Sequence, residues 1–185
     1  MKPLWQTTGR LGNQMFQFAF LYAYAKEHGC DYYFQDPKYF EKYANEIKAL
    51  YGDITWAGIK MIDKVSIHIR RGDYVGNSFY VDLMATDYYQ KAMAEFPKGT
   101  QFLVFSDDIE WCQKQEVFQK ACNFSFSNTE LEDLNEMMTC NGHIIANSTF
   151  SWWGAWLGKG KVIAPKAWYA DGVERTVCPK TWIRL

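Results

Sequence analysis

The chain has 185 residues, a formal net charge of −1 and a sequence pI near 6.3. That length, with 48% hydrophobic residues, supports one good-sized domain or a domain with a partial second lobe. The near-neutral balance excludes a general nucleic-acid binder, which carries a basic face and a high pI, but leaves room for a local basic pocket. Five cysteines, Cys30, Cys112, Cys122, Cys140 and Cys178, form no Cys-x-x-Cys pair and are odd in number. This argues against a zinc or disulfide framework and for reduced, buried thiols. Lys2 is not followed by an apolar signal region, and the most apolar run, Met15 to Ala25, is too short to span a bilayer and contains Gln17. A soluble, cytoplasmic protein is expected, with peripheral association at the inner membrane surface left open.

The pattern opens with a short strand at Pro3–Thr7 and a glycine-bearing turn, Thr8-Gly-Arg-Leu-Gly-Asn-Gln14. A helix follows from Met15 to Glu27 and stops at Gly29. Gly9 and Gly12 let backbone approach a ligand, Arg10 adds a cation, and the helix start favours an anion. Asn13 and Gln14 serve equally well as helix caps. Asp36-Pro37 opens a second helix whose buried face is Tyr39, Phe40, Tyr43, Ile47 and Leu50. Residues 53–63 read as an irregular linker. The expected division is therefore 1–60 and 61–185.

Within the second part, Lys64 to Arg70 is a strand in which Val65, Ile67 and Ile69 alternate with Ser66, His68 and Arg70. It breaks at Gly72-Asp73. Then comes α/β alternation. A helix is expected from Tyr88 to Phe96 with Asp87 as cap. A strand follows at Gln101–Phe105, ending in Ser106-Asp107-Asp108, and a helix at Ile109–Gln115. The next elements are a strand at Cys122–Ser127, a helix from a Thr129 cap to Met138 and a strand at His143–Ala146. Asn147-Ser-Thr-Phe-Ser151 turns the chain into a helix at Trp152–Leu157, and Lys161–Ala164 is the last clear strand.

In a parallel sheet, the ends of three of these strands converge on one edge. They bring His68, Arg70, Arg71 and Asp73 together with Ser106, Asp107 and Asp108, and with Asn147, Ser148, Thr149 and Ser151. Adjacent arginines suit a phosphate or pyrophosphate; the bland alternative is a surface pair between Arg71 and Asp73. The Ser/Thr helix start suits a phosphate or an ordinary N-cap. Asp107 and Asp108 fit a helix cap or a nucleoside contact better than a metal, because no Asp-x-Asp or His/Glu cluster accompanies them. His68 shares a strand face with Arg70. His143 reads as a core residue, and Trp153 and Trp156 as packing.

Five runs together resemble the α-1,2-fucosyltransferases, glycosyltransferase family 11. They are Gly9-Arg-Leu-Gly-Asn-Gln-Met-Phe-Gln-Phe-Ala19, Tyr33-Phe-Gln-Asp-Pro-Lys-Tyr-Phe40, His68-Ile-Arg-Arg-Gly-Asp-Tyr74, Phe105-Ser-Asp-Asp108 and Ala146-Asn-Ser-Thr-Phe-Ser-Trp-Trp-Gly-Ala-Trp156. The resemblance implies a GT-B-like α/β fold with a Rossmann-like C-terminal domain that binds GDP-fucose and a shortened N-terminal lobe on the acceptor side. It implies inverting, metal-independent transfer of L-fucose from GDP-β-L-fucose to the 2-hydroxyl of a galactose-terminated oligosaccharide, with no cofactor beyond the donor substrate. Arg70 then binds the pyrophosphate and Ser148, Thr149 and Ser151 meet the phosphates, with Asn147 and Arg71 beside them. Asp107 and Asp108 lie at the nucleoside. Gly9, Arg10, Gly12 and Asn13 face the donor and acceptor. Asp73 or His68 is the candidate base. The chain departs from the family where Cys30-Asp31 nearly joins two runs that are normally well separated, so part of the N-terminal lobe is expected to be missing. The alternative is a truncated relative that only binds GDP or GDP-fucose.

Overall fold

The computed structural model describes residues 10–29, 60–127, 129–173 and 178–185. The chain divides into two compact units, Met1–Ile59 and Lys60–Leu185.

In the first unit, helix α1 spans Leu11–His28. It starts four residues before the expected Met15, so Asn13 and Gln14 lie in its first turn and not in a turn preceding it. Met15, Ala19 and Ala23 recur every four residues and are buried along one face. Gly29, at φ +59°, follows the last turn in the left-handed conformation that commonly ends helices. The expected strand at 3–7, the helix opened by Asp36-Pro37 and the Cys30-Asp31 junction lie outside the described residues.

The second unit is a Rossmann-like α/β domain. Strands β1 (Ile62–Ile69), β2 (Phe102–Ser106), β3 (Cys122–Phe124), β4 (Cys140–Ile144), β5 (Lys161–Ala164) and β6 (Ile183–Arg184) form one sheet in the order β3-β2-β1-β4-β5-β6. Every neighbouring pair is parallel. The chain steps outward from β1 to β3, then returns to the other side of β1 with β4. This reversal opens a crevice at the carboxyl ends of β1 and β4. β1 begins two residues before the expected Lys64, inside the supposed linker. Its alternation of Val65, Ile67 and Ile69 with Ser66 and His68 suggests one wet face, yet all five residues are buried. A central parallel strand is covered on both sides, so its polar residues must be satisfied inside. β4 ends two residues earlier than expected, and β3 keeps only Cys122–Phe124 of its expected run. The two-residue β6 is too short to show a period and went unread.

Helices α2 (Tyr88–Ala94), α3 (Ile109–Gln113), α4 (Glu130–Met138) and α5 (Thr149–Leu157) complete the alternation. Thr129 and Glu132 form a reciprocal capping box on α4. Asp87 occupies the N-cap position of α2, but its carboxylate pairs with Lys91 at 2.7 Å and the hydroxyl of Thr86 accepts the Tyr88 N–H instead. On one face of the sheet, Ile67, Ile69, Val104, Tyr88, Tyr89 and Phe118 form the main core. The hydroxyls of Tyr88 and Tyr89 donate to the carbonyls of Ile145 and His68, at 2.7 and 3.0 Å, and so tie α2 to the strand ends. Leu103, Phe105, Met137 and Cys140 form a second cluster. Trp152, Trp153 and Trp156 of α5 are buried against one another, as packing requires. His143 is fully buried: its Nε2 donates to the Lys159 carbonyl at 3.0 Å, so Nδ1 accepts from the Ser66 hydroxyl at 2.8 Å. It is the satisfied core residue that its strand position suggested.

The turn between α5 and β5 depends on Gly160. It sits at φ +96°, and a Cβ there would overlap the Asn141 carbonyl of β4. Gly160→Ala is expected to destabilise the domain by about 2–4 kcal/mol, from left-handed strain plus the displaced backbone. Urea unfolding of the two proteins checks this; equal midpoints would contradict it.

Candidate functional site

β1 delivers Arg70 and Arg71 to the carboxyl edge, next to the end of β2. The pairing Ile69↔Ser106 brings the following residues, Arg70 and Asp107, side by side. Arg70 Nη1 donates to Asp107 Oδ2 at 2.7 Å, and Nη2 is paired with Asp73. The Arg71 N–H donates to the other oxygen of Asp107 at 2.9 Å. Asp107 therefore fixes both the side chain and the backbone at the end of β1. Gly72 is required in this arrangement, because a Cβ there would overlap the Asp107 carboxylate and φ is +24°. Arg71 lies flat over Trp111 at 3.5 Å and donates through Nε to Asp108 at 3.2 Å. Asp108 also caps α3, accepting the Trp111 N–H at 3.2 Å.

In place of the alternative surface pair Arg71–Asp73, the pairs are Arg70–Asp73 and Arg71–Asp108. The cause is geometric: Asp73 sits three residues on from Arg70 in a short 3-10 turn, Gly72–Tyr74, which points its carboxylate back. Asp73 is also the more exposed of the two carboxylates on Arg70, with 64% of its side chain accessible against 23% for Asp107.

Beyond the end of β4, Asn147 is buried and both N–H bonds of its side-chain amide are used. Nδ2 donates to the carbonyls of Val81 at 2.9 Å and Trp168 at 3.0 Å. The backbone carbonyl of Asn147 accepts from the Tyr74 hydroxyl at 3.1 Å. Ser148 is the N-cap residue of α5 but makes no side-chain cap hydrogen bond. Ser151 is fully buried and donates to the Ser148 carbonyl at 3.2 Å. Of the four polar residues expected here to meet a ligand, Asn147 and Ser151 therefore work inside the fold. The Ser148 side chain makes no bond to the backbone N–H groups of the first turn of α5. Between the β1 and β4 ends lies a cavity of about 70 Å³, bounded by Arg70, Tyr74, Leu83, Tyr89 and Asn147. It has room for a few waters, so a ligand the size of a nucleotide would lie across its mouth.

His68 faces Phe150 in the first turn of α5, with ring centroids 5.4 Å apart. It is buried, and its Nδ1 has no hydrogen-bond partner. Burial, helped by the positive charge of Arg70, lowers its pKa to about 3. Burial likewise lowers that of His143 to about 4. Both rings are neutral near pH 7.

Among the described residues, no three His, Cys, Asp or Glu side chains gather in a metal-binding group, and no helix is long and apolar enough to cross a membrane. Gly9 lies outside the described residues. Arg10, Gly12 and Asn13 belong to the first unit, where Arg10 and Asn13 are exposed and Gly12 is buried. Gly72 was read only as a turn signal, and Tyr74 was not singled out beyond its place in the Arg-Arg-Gly-Asp-Tyr run; both shape the Arg70 loop.

The two buried rings set a pH dependence. In the unfolded chain an imidazole protonates near pH 6.5, whereas these rings resist protonation down to about pH 3 (His68) and about 4 (His143). The unfolded state therefore binds more protons below pH 6.5. Stability is full above that value and falls as the pH drops, by up to about 1.4 kcal/mol per pH unit for each ring. Urea unfolding at pH 7 and pH 5, with NMR of the imidazole protons, checks this. A ring that titrates near pH 6.5 in the folded protein would contradict it.

Residues 19–185 match the family described as Glycosyl transferase family 11. The chain is 39% identical over 142 residues to the Alpha-1,2-colitosyltransferase of Escherichia coli, covering 69% of this chain and 49% of that protein. It is 39% identical over 134 residues to the O-antigen biosynthesis glycosyltransferase WbnK of Escherichia coli, covering 65% and 44%. The Galactoside 2-alpha-L-fucosyltransferase Sec1 of Mus musculus is 31% identical over 110 residues, covering 54% and 30%. The chain thus spans half or less of the length of these curated relatives. No solved structure matches it. The strand-end arginines, the glycine between them and Asp107, and the helix start after β4 all lie inside the matched region, and the chain belongs to glycosyl transferase family 11.

Proposed function

We propose that this chain transfers L-fucose from GDP-β-L-fucose to the 2-hydroxyl of a galactose-containing glycan, with inversion and without a metal ion. The observation that carries the reading is Arg70, held by Asp107 at the β1/β4 crevice beside the N-terminus of α5, whose N-cap residue Ser148 makes no side-chain cap hydrogen bond. As the glycosidic bond breaks, negative charge grows on the β-phosphate oxygen. A fixed guanidinium and the N–H groups of α5 stabilise that charge without reorganising. Ser148 and Thr149 flank the phosphates. Arg71, Asp107 and Asp108 border the nucleoside. Residues 61–185 form the donor-binding half of a GT-B-like enzyme, and 1–60, with Gly9, Arg10, Gly12 and Asn13, contribute to the acceptor side.

Asp73 has a role that follows from its pairing. A phosphate oxygen that takes over Nη2 of Arg70 releases the Asp73 carboxylate. The freed carboxylate then accepts the proton of the acceptor hydroxyl as the new bond forms. Donor binding would thereby switch on its own base. His68, neutral and buried, is better suited to shaping the floor beneath the diphosphate than to exchanging protons with solvent.

Two observations favour neighbouring readings. A relative named a colitosyltransferase is more similar to this chain than the relatives named fucosyltransferases, which makes GDP-colitose the rival donor. The chain also spans about half of those relatives, which favours a form that binds GDP or GDP-fucose without transfer.

Turnover with lactose and each of the two donors separates these readings, with GDP affinity measured alongside. Transfer from GDP-fucose, unaffected by EDTA, is expected; a loss restored by Mn²⁺ would overturn the metal-free mechanism. GDP binding without transfer from either donor would leave the binding form. Arg70→Ala is expected to lower turnover by at least 100-fold with the fold retained, the scale of losing one fixed transition-state donor. Wild-type turnover in that variant would sink the assignment.

A further inference from the structure

We propose that Tyr74, Phe79, Tyr80 and Tyr169 form a platform that binds a pyranose ring of the acceptor glycan, one sugar beyond the one that reacts. The proposal rests on the donor reading of Arg70 given above. The four rings are in mutual contact. Tyr74 and Tyr80 stack with centroids 3.7 Å apart and planes 7° from parallel. Phe79 meets Tyr80 edge-on at 5.1 Å. Tyr169 leans against Phe79 at 5.0 Å and Tyr80 at 5.8 Å.

The cluster is continuous with the crevice. The Arg70 guanidinium lies 5.4 Å from the Tyr74 ring centroid, and the Tyr74 hydroxyl reaches the Asn147 carbonyl. From Arg70 outward the sequence of contacts is Tyr74, Tyr80, Phe79, in steps of 3.7 to 5.4 Å. Phe79 is thus the outermost of these rings along the chain of contacts from Arg70. The cluster is also rigid. Tyr80 and Tyr169 form an antiparallel bridge, and Ala170 N–H donates to the Phe79 carbonyl at 3.0 Å. Val81 N–H donates to the Trp168 carbonyl at 3.1 Å, and the Asn147 amide clamps the carbonyls of those same two residues.

A loop pinned this firmly nevertheless leaves Phe79 50% exposed, with Val75 at 59% beside the same turn. Solvent-facing aromatic area on a rigid frame is prepaid recognition surface: its ligand meets no ordering cost. The chemistry fits a sugar. A pyranose presents one face of weakly positive C–H bonds, which complements the negative face of an aromatic ring, and a rim of hydroxyls, which phenol groups can hydrogen-bond. A charged ligand gains little from it, since the cation and carboxylates of the site lie at the inner end.

The test uses the full chain and lactose as probe. Lactose affinity is read by saturation-transfer NMR with and without GDP. The affinities of GDP and GDP-fucose are read by calorimetry. Phe79→Ala is expected to weaken lactose binding about tenfold, the size of one lost aromatic contact. Its GDP and GDP-fucose affinities and its melting temperature should stay at the wild-type values, and Phe79→Trp should restore lactose binding. Unchanged lactose affinity in Phe79→Ala, or no lactose binding by the wild type, overturns the platform. So does a selective loss of GDP or GDP-fucose affinity, which would place the base or the donor sugar there instead. Failure of the wild type to bind GDP would count against the donor reading alone, because the lactose measurement made without GDP reads the platform by itself.

Discussion

The ion pair between Arg70 and Asp107 is the contact on which the rest of the site depends. It joins the ends of two neighbouring parallel strands, β1 and β2, at the edge where the sheet reverses direction. An arginine carried on a buried central strand cannot be left unpaired when only 10% of its side chain is exposed. Asp107 meets that need and also accepts the Arg71 N–H, so one carboxylate sets both the direction of the guanidinium and the path of the chain leaving β1. Gly72 follows from it, because no other residue lets the loop pass so close to Asp107. Asp73 follows too, since the 3-10 turn that Gly72 permits returns its carboxylate to Arg70.

A second constraint comes from the other side of β1. Asn147 lies beyond the end of β4 and spends its amide on two carbonyls from loops that are far apart in sequence, at Val81 and Trp168. It therefore holds the loop after β1 against the loop after β5. The same clamp frames the cavity beside Arg70 and aligns Tyr80 with Tyr169. The charge cluster around Arg70 and the aromatic surface are in this way two consequences of one edge of one sheet. The charges sit where strand ends converge, and the rings sit on the loops that those ends launch.

Much of this was legible in the sequence. The apolar run around Ile67, the Asp108 and Thr129 caps, the tryptophan packing of α5 and the convergence of three strand ends on Arg70 all follow from local pattern plus the rules of parallel sheets. What escaped had physical reasons. Alternation in β1 did not reveal that Ser66 and His68 are buried as well, because periodicity cannot see the elements that cover both faces of a central strand. That the Asn147 and Ser151 side chains bond backbone carbonyls was not legible, because the residue types that bind phosphate also satisfy backbone. The pairs of Arg70 with Asp107 and of Arg71 with Asp108 were not read because they span more than thirty residues, a separation that only strand register resolves. β6 was too short to carry a period at all.

The account stands on Arg70 as the cation that receives a diphosphate at the β1/β4 edge. A crystal structure of the chain with GDP tests this most directly. The predicted result is the β-phosphate within hydrogen-bond distance of the Arg70 guanidinium and the first N–H groups of α5, with Asp107 still on Nη1 and Asp73 released from Nη2. A diphosphate bound elsewhere, with Arg70 still holding both carboxylates, would contradict it.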